Sequence, residues 1–385
     1  MFEQDLERLK REHLLRRLTV LNAESGPIVT AAGERLLLMC SNDYLGLSTH
    51  PALSQATRAA LDKYGCGAGA SRLVSGTTAL HAELELRIAR FKGTEAALLF
   101  NSGYAANTGI IPAIAGPGDL ILSDSLNHAS IIDGCRLSKA RTEIYRHCDL
   151  YDLERLLQSS SGTNRTLIVT DGVFSMDGDL APLPGLVSLA DRYNVLLMVD
   201  DAHATGVLGR TGRGSAEHFG LEGRIPIQMG TLGKALGSFG AYAAGSRDLI
   251  DLLVNQARSF MFSTALPPSI CAASIAALAI VEQESGFKNK LWENREYFVG
   301  GLHAIGIDTG RSETMIVPLV VGKSETAAAL SEKLFDEGIY ATAIRPPTVP
   351  EGSARIRMTV MASHSREDLD RVIRILSRLK QEGCL

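Results

Sequence analysis

Nothing in this chain of 385 residues suggests a disulfide framework, a structural zinc site or a membrane span. Its six cysteines, at 40, 66, 135, 148, 271 and 384, form no Cys-x-x-Cys pair, which excludes the usual zinc spacings and fits reduced thiols in a cytoplasmic protein. The longest apolar stretch, 270–281, is rich in alanine and too short to cross a bilayer. The start, Met1-Phe2-Glu3-Gln4-Asp5, is acidic, unlike an export signal. Basic residues are not in surplus: 39 Lys and Arg face 43 Asp and Glu, for a formal net charge of -4. With no basic block to neutralise phosphates, neither nucleic acid nor an anionic membrane is an expected partner. No internal repeat or low-complexity segment is present. What is there is an ordinary globular composition, 45% hydrophobic, sufficient for a sizeable core in about two to three domains.

The first stretch places Phe2, Leu6, Leu9, Leu14 and Leu18 among charges, which predicts an amphipathic helix over 2–18 acting as an arm. Gly65-Cys66-Gly67-Ala68-Gly69-Ala70-Ser71-Arg72 has the glycine density of a dinucleotide fingerprint. It follows a helical pattern over 52–64 instead of a strand, so the nucleotide reading fails its context test. From about 94 to 245, short apolar runs at 96–100, 120–122, 167–170, 195–199, 225–229 and 241–244 alternate with helical patterns. Strands buried on both faces predict an α/β fold with a mainly parallel, doubly wound sheet, whose ligands gather at the strand carboxyl ends. After a helical region near 267–284, the remainder predicts a smaller α+β domain. It has strands at 315–321 and 355–360 and helices at 324–337 and 365–380, the last opened by a Ser365/Asp368 capping box. Three prolines stiffen Ala343-Ile344-Arg345-Pro346-Pro347-Thr348-Val349-Pro350 between them. The expected boundaries are an arm over 1–45, a large cofactor-binding domain over 46–285 and a small domain over 286–385.

The loops after these runs carry the chemistry. Gly230-Thr231-Leu232-Gly233-Lys234-Ala235-Leu236-Gly237 presents one lysine between glycines that let a cofactor approach, as a Schiff-base anchor requires; the plain alternative is a surface lysine in a turn. Pyridoxal phosphate needs an amine, a carboxylate for its ring nitrogen, a group stacked on the ring and donors for its phosphate. Asp200 ends one run and can raise a ring nitrogen's pKa by proximity, although a loop carboxylate or helix cap reads the same. His128 suits the stacking position or a hydrogen-bonded surface site. Ser102-Gly103-Tyr104 opens a helical pattern whose first amides can cradle a phosphate, and Thr231 adds a hydroxyl or simply ends a strand. Asp200-x-x-His203 is half a metal site, with no third ligand at a recognisable spacing, so no metal is expected.

Asn127-His128-Ala129-Ser130, Asp171-Gly172-Val173-Phe174-Ser175-Met176-Asp177-Gly178-Asp179, Val199-Asp200-Asp201-Ala202-His203-Ala204-Thr205-Gly206 and Thr231-Leu232-Gly233-Lys234 together resemble the α-oxoamine synthase family of pyridoxal phosphate enzymes, over essentially the whole chain. The one departure noted is Ala204, where many relatives carry glycine. The resemblance implies the fold type I aminotransferase architecture and a homodimer with interfacial sites. It also implies condensation of an amino acid with an acyl thioester and release of carbon dioxide. By the same resemblance, Lys234 is the Schiff-base lysine, Asp200 the ring-nitrogen partner, His128 the stacking residue and His203 the partner of the ring hydroxyl. Ser175 and Thr231 help to hold the cofactor, Gly103 and Tyr104 lie near its phosphate, and Ser263 and Thr264 reach it from the neighbouring subunit. Arg345 binds the substrate carboxylate, Thr348 and Asn42 line the substrate pocket, and Arg16, or equally Arg17, meets the acyl substrate. Within the family, the stretch from Ala343 to Pro350 is most similar to members that join L-alanine to a pimeloyl thioester, carried on coenzyme A or acyl carrier protein. Members that use another amino acid and acyl chain, and a non-catalytic subunit that keeps the fold, are the alternatives.

Overall fold

The apolar runs and one charged run become a seven-stranded sheet in the computed structural model, which describes residues 2–24, 26–159 and 162–385. The strands are Ala96–Phe100 (β1), Leu120–Asp124 (β2), Arg141–Tyr145 (β3), Thr166–Asp171 (β4), Leu196–Asp200 (β5), Ile227–Thr231 (β6) and Ala241–Gly245 (β7). They stand in the order β1-β7-β6-β5-β4-β2-β3. From β6 to β3 every pairing is parallel, whereas β7 is antiparallel to both of its neighbours. The mainly parallel expectation therefore holds with one reversal. Residues 232–240 are too few for a crossover helix and return the chain as a hairpin. The strand β3, Arg-Thr-Glu-Ile-Tyr, was not expected. It lies at the sheet edge with only Tyr145 buried, and charged side chains suit an edge that must not pair further.

Alternate strand residues feed two separate cores, as a period of two requires. Leu122, Ile168, Leu197 and Val199 face the helices Leu150–Gln158 and Leu183–Tyr193. Ile121, Leu167, Val169 and Met198 face Gly103–Ile114, Ala129–Ser138 and Arg247–Gln256. Each such side chain taken fully out of water contributes about 1.5–3 kcal/mol. These elements belong to one compact unit, Leu47–Phe174 with Leu180–Lys288; the other comprises Met1–Gly46, Ser175–Asp179 and Asn289–Leu385.

In the latter unit, Ile316–Gly322, Ala354–Thr359 and Thr342–Ile344 form an antiparallel sheet with Ala354–Thr359 at its centre. The capping box is present, Ser365 and Asp368 closing the start of Arg366–Gln381 reciprocally. The N-terminal helix is shorter than expected, Glu3–Arg11. His13 takes a left-handed φ of 52°, and the Leu14 and Leu15 amides turn back to the Leu9 carbonyl. That closure ends the helix, so Leu18 lies outside it and exposed. The glycine-rich stretch from Gly65 follows the helix Pro51–Tyr64, not a strand, so it is no nucleotide fingerprint. Among the described residues no single helix is long and apolar enough to cross a membrane.

One buried histidine makes this unit sensitive to acid. His364 Nδ1 accepts from the Met361 amide at 3.0 Å, and Nε2 lies 3.0 Å from the Leu38 carbonyl oxygen, so a neutral ring protonated at Nε2 satisfies both. Burial pushes its pKa from 6.5 down to about 4. A base with a depressed folded-state pKa contributes stability that is complete above its unfolded value and is lost as pH falls from there towards about 4. Unfolding free energy should therefore drop by on the order of 2 kcal/mol between about pH 7 and pH 5 through this residue. Denaturant titrations of wild type and His364→Gln at both pH values check it; equal pH slopes in the two proteins would discard it.

Candidate active site

Strands β1 to β6 all end at one edge of the sheet, and the polar loops that follow them meet there. Lys234 sits on the β6–β7 hairpin, which is closed by Leu232 N–H to the Gly240 carbonyl, Ser238 N–H to Leu232 and Gly237 N–H to Lys234, each at 2.9 Å. Gly237 has a φ of 60°, and a Cβ there would come within 2.3 Å of the Ser48 amide nitrogen, so no other residue closes this loop unstrained. The half-buried Lys234 extends its Nζ to 2.9 Å from His203 Nε2, and His203 itself is buried.

Asp200 ends β5, 3% exposed. Its Oδ1 accepts from the Ala202 amide and its Oδ2 from Asn107 Nδ2, both at 2.8 Å. The second amide hydrogen of Asn107 goes to Ser130 Oγ at 2.9 Å, and Ser130 Oγ lies 2.7 Å from His128 Nδ1. Because Ser130 N–H also donates to that Nδ1, at 3.2 Å, the neutral imidazole carries its proton on Nε2. Asn107 thus fixes Asp200 and, through Ser130, His128. Neither Asn107 nor Ser130 figures among the expected site residues. The signal was there, since an asparagine inside the apolar helix Ser102-Gly103-Tyr104-Ala105-Ala106-Asn107-Thr108-Gly109-Ile110 must find partners if buried.

A second carboxyl stands beside the first. Asp171 ends β4 in register with Asp200, and its Oδ2 accepts from the His128 amide at 2.7 Å. Burial and then the charge of Asp200 drive the Asp171 carboxyl well above its ordinary range. Burial raises Asp200 too, but Lys234, the Asn107 amide and the Ala202 N–H draw it back. Asp171 is therefore the member that keeps its proton, and Asp200 carries the charge. Burial, then Lys234, lowers the His128 pKa, which keeps its ring neutral.

Asp201 is already committed elsewhere. Its Oδ2 accepts from Lys92 Nζ at 2.8 Å and from the Ser215 amide at 3.1 Å, with both ionic side chains 1% exposed. Breaking one partner of such a pair is costly, about 3–5 kcal/mol, so this pair is a structural tie behind the site.

Gly103 opens the helix Gly103–Ile114, where a Cβ would meet Thr231 Cγ2 at 2.9 Å; the β1 and β6 loops approach closely only because it is glycine. Thr231 Oγ1 donates to the Ala202 carbonyl at 3.2 Å. Tyr104 is half exposed, with its hydroxyl on Asp133. Ser263 and Thr264 lie in another set: Thr264 bridges to Ser71, and its carbonyl accepts from Asn101 Nδ2 at 2.8 Å.

The remaining expected residues fall in the other unit. Arg16 donates to the Pro346 carbonyl at 3.0 Å, and Arg345 to the carbonyl of His13. Among the described residues, Arg345 Nε is buried without a hydrogen-bond partner, and burial, then Arg16, lowers its pKa. Arg17 and Arg345 line a cavity of about 500 Å³. Thr348 N–H donates to the Arg345 carbonyl at 3.1 Å. Asn42 Oδ1 accepts from Arg357, at 3.1 Å, and Arg357 also donates to the Ser175 carbonyl. Arg357 is a further residue that the sequence reading did not single out.

The residues at the sheet edge fit pyridoxal phosphate. They supply an amine on a rigid hairpin, a buried carboxylate whose hydrogen bonds, among the described residues, come from neutral donors, a fixed neutral imidazole, and helix-start amides at Gly103 and Tyr104 that lack intrahelical acceptors.

The family model for aminotransferase class I and II matches residues 34–376. The chain is 55% identical over 380 residues to 8-amino-7-oxononanoate synthase of Geobacter sulfurreducens, covering 98% of this chain and 97% of that protein. Among solved structures, a variant of serine palmitoyltransferase from S. paucimobilis with a bound PLP–myriocin aldimine is 30% identical. It superposes with a TM-score of 0.95, over 100% of this chain and 98% of that one. The 8-amino-7-oxononanoate synthase from Francisella tularensis is 28% identical, with a TM-score of 0.78, over 91% of this chain and 99% of that one.

Proposed function

We propose, for a chain that belongs to the aminotransferase class I and II family and within it to the 8-amino-7-oxononanoate synthases, the decarboxylative condensation of L-alanine with a pimeloyl thioester. The products are 8-amino-7-oxononanoate, carbon dioxide and the free carrier thiol, a step of biotin biosynthesis; the carrier is acyl carrier protein or coenzyme A. The observation that carries the reading is the meeting of Lys234 Nζ and His203 Nε2, 2.9 Å apart, at the sheet edge that also holds the buried Asp200 carboxylate.

Pyridoxal phosphate, when bound, supplies an electron sink for the carbanion at the α-carbon of alanine. Lys234 would anchor it covalently, and its amine, when free, would take the α-proton and later return one. Asp200 keeps a proton on the ring nitrogen by charge proximity, held to that task by Asn107. His128 would pack against the ring, and His203 would hold its hydroxyl. Gly103, Tyr104, Ser175 and Thr231 hold the cofactor, and Ser263 and Thr264 serve the neighbouring subunit of a homodimer. Arg345 takes the alanine carboxylate through its guanidinium, whose Nε has no hydrogen-bond partner among the described residues. Thr348 and Asn42 line the substrate pocket, and Arg16 or Arg17 meets the acyl substrate. The enzyme works in the cytoplasm in this reading.

A product assay on the cofactor-loaded enzyme tests it. With pimeloyl thioester present, L-alanine should exceed glycine in kcat/KM by about 10- to 200-fold, the range one extra methyl group confers in an apolar pocket. Equal or better turnover of glycine or L-serine would move the enzyme to another member of the family.

A further inference from the structure

The two strands that carry the Lys234 hairpin and the bend that carries His203 are joined by a line of buried hydrogen bonds. Asp201 starts the bend: its carbonyl accepts from the Ala204 amide at 3.0 Å and from the Thr205 amide at 2.9 Å, so His203 stands in the middle of one tight turn. At the far end of that turn the Thr205 hydroxyl lies 2.8 Å from the hydroxyl of Tyr242. Tyr242 is on β7, in register with Gly230 of β6, and is 1% exposed. A Cβ on Gly230 would meet Thr205 Oγ1 at 2.7 Å and the Tyr242 hydroxyl closer still. Only glycine in β6 therefore leaves room for the phenol of one strand to cross its neighbour and reach the bend.

The direction of this hydrogen bond is fixed from the other side. Lys92 ends the helix Ala79–Lys92 and is 1% exposed in its side chain. It donates to Asp201 Oδ2 at 2.8 Å and to the Arg213 carbonyl at 2.5 Å. Burial alone would lower its pKa, but Asp201 and Tyr242 hold the ammonium above its ordinary range. Burial also raises the Tyr242 phenol, against the pull of Lys92 and Thr205, so the phenol is neutral. An ammonium has three hydrogens and no lone pair. With two spent on Asp201 and Arg213, the third goes to the Tyr242 oxygen, whose own hydrogen is left for Thr205 Oγ1. The bend is thus clamped at both ends, at Asp201 by Lys92 and the Ser215 amide and at Thr205 by Tyr242. A tie that served stability alone could close within one element. This one joins both legs of the Lys234 hairpin to the His203 bend, where Nζ and Nε2 stand 2.9 Å apart.

We propose that Tyr242 is a positioning residue: through Thr205 it fixes the His203 bend against β6 and β7, and so sets the distance between His203 and the Lys234 amine. The inference rests on the reading of Lys234 as the anchor of the cofactor. Without the phenol hydroxyl the bend keeps its tie at Asp201 but is released at Thr205, and the amine meets His203 less often in the arrangement that captures the cofactor. Misplacement of that kind costs rate, not fold.

The test is Tyr242→Phe, which removes one oxygen and keeps the buried ring. Full-length enzyme freed of pyridoxal phosphate is remixed with it, capture is followed by the visible absorbance of the lysine-bound form, and kcat of the loaded enzyme is measured beside it. Circular dichroism checks the fold. Both rates should fall at least about threefold, the scale of one neutral hydrogen bond. Thr205→Val should match Tyr242→Phe, and the double variant should lose no more than the larger single loss. Thr205→Ser, which keeps a hydroxyl, should restore the wild-type rates. If Tyr242→Phe misfolds, the two Thr205 variants decide the matter. A capture rate reduced by less than about threefold in a folded Tyr242→Phe or Thr205→Val, additive losses in the double variant, or a Thr205→Ser as slow as Thr205→Val would overturn the assignment. So would a lowered unfolding midpoint with unchanged rates, the mark of a purely structural bond. Borohydride mapping of wild type keeps the two readings apart: an adduct away from Lys234 overturns the anchor and this role with it, whereas an adduct on Lys234 with unaffected variants overturns this role alone.

Discussion

Lys234→Ala should lower turnover by about 10⁴-fold or more while leaving the far-ultraviolet circular dichroism unchanged. The loss has two sources. In the proposed reading the amine is the covalent anchor and also the base for the α-proton, a role worth about 10²- to 10⁴-fold by itself. No other described amine is placed to replace it, since the buried Lys92 is tied to Asp201. The fold should survive because the hairpin is closed by backbone hydrogen bonds that do not involve the side chain. Borohydride reduction followed by peptide mapping supplies the independent reading, with the adduct on the peptide of Lys234. An adduct elsewhere in wild type, or a variant that retains more than about 1% of turnover, would remove the basis for the assignment.

Asp200→Asn should cost about 10²- to 10³-fold in kcat, the scale seen when one preorganised electrostatic partner is removed from a dry site. The change is nearly isosteric, so it isolates charge from shape. It also leaves one of two buried donors unpaired, because Ala202 N–H and Asn107 Nδ2 each need an oxygen. Asp171 cannot take over, as burial keeps its carboxyl protonated well above the ordinary range. Affinity for the cofactor and the visible spectrum of the bound form should be measured beside kcat. A kcat within about twofold of wild type would show that the Asp200 charge does not act on the reaction.

The sheet was readable because its central strands are buried on both faces and so appear as unbroken apolar runs. The strand β3 was not, because one side of it meets solvent and its charges mask the pattern. The arm shows a different limit: leucine spacing continued to Leu18, but a left-handed His13 ended the helix at Arg11, and spacing carries no record of a single dihedral. At the candidate site, Lys234, Asp200 and His128 were legible as candidates by residue type at strand ends and beside glycines, each with a plainer alternative, and the role expected of His203 came from the family resemblance. Asn107, Ser130 and Arg357 did not, since their meaning depends on which element packs against them. The Lys92–Asp201 pair joins positions 109 apart, and only the fold reveals that they meet.

The reversed strand β7 bears on how this site can change over time. A lysine carried on a crossover would tolerate drift, because a helix can slide or lengthen while the strands stay in place. Here both ends of the loop are pinned in hydrogen-bonded register, at Thr231 and Ala241, and its far corner is wedged against Ser48. Adding or deleting one residue would swing the amine away from His203, so variation that retunes such an enzyme has to arrive in other loops, with this one constant in length.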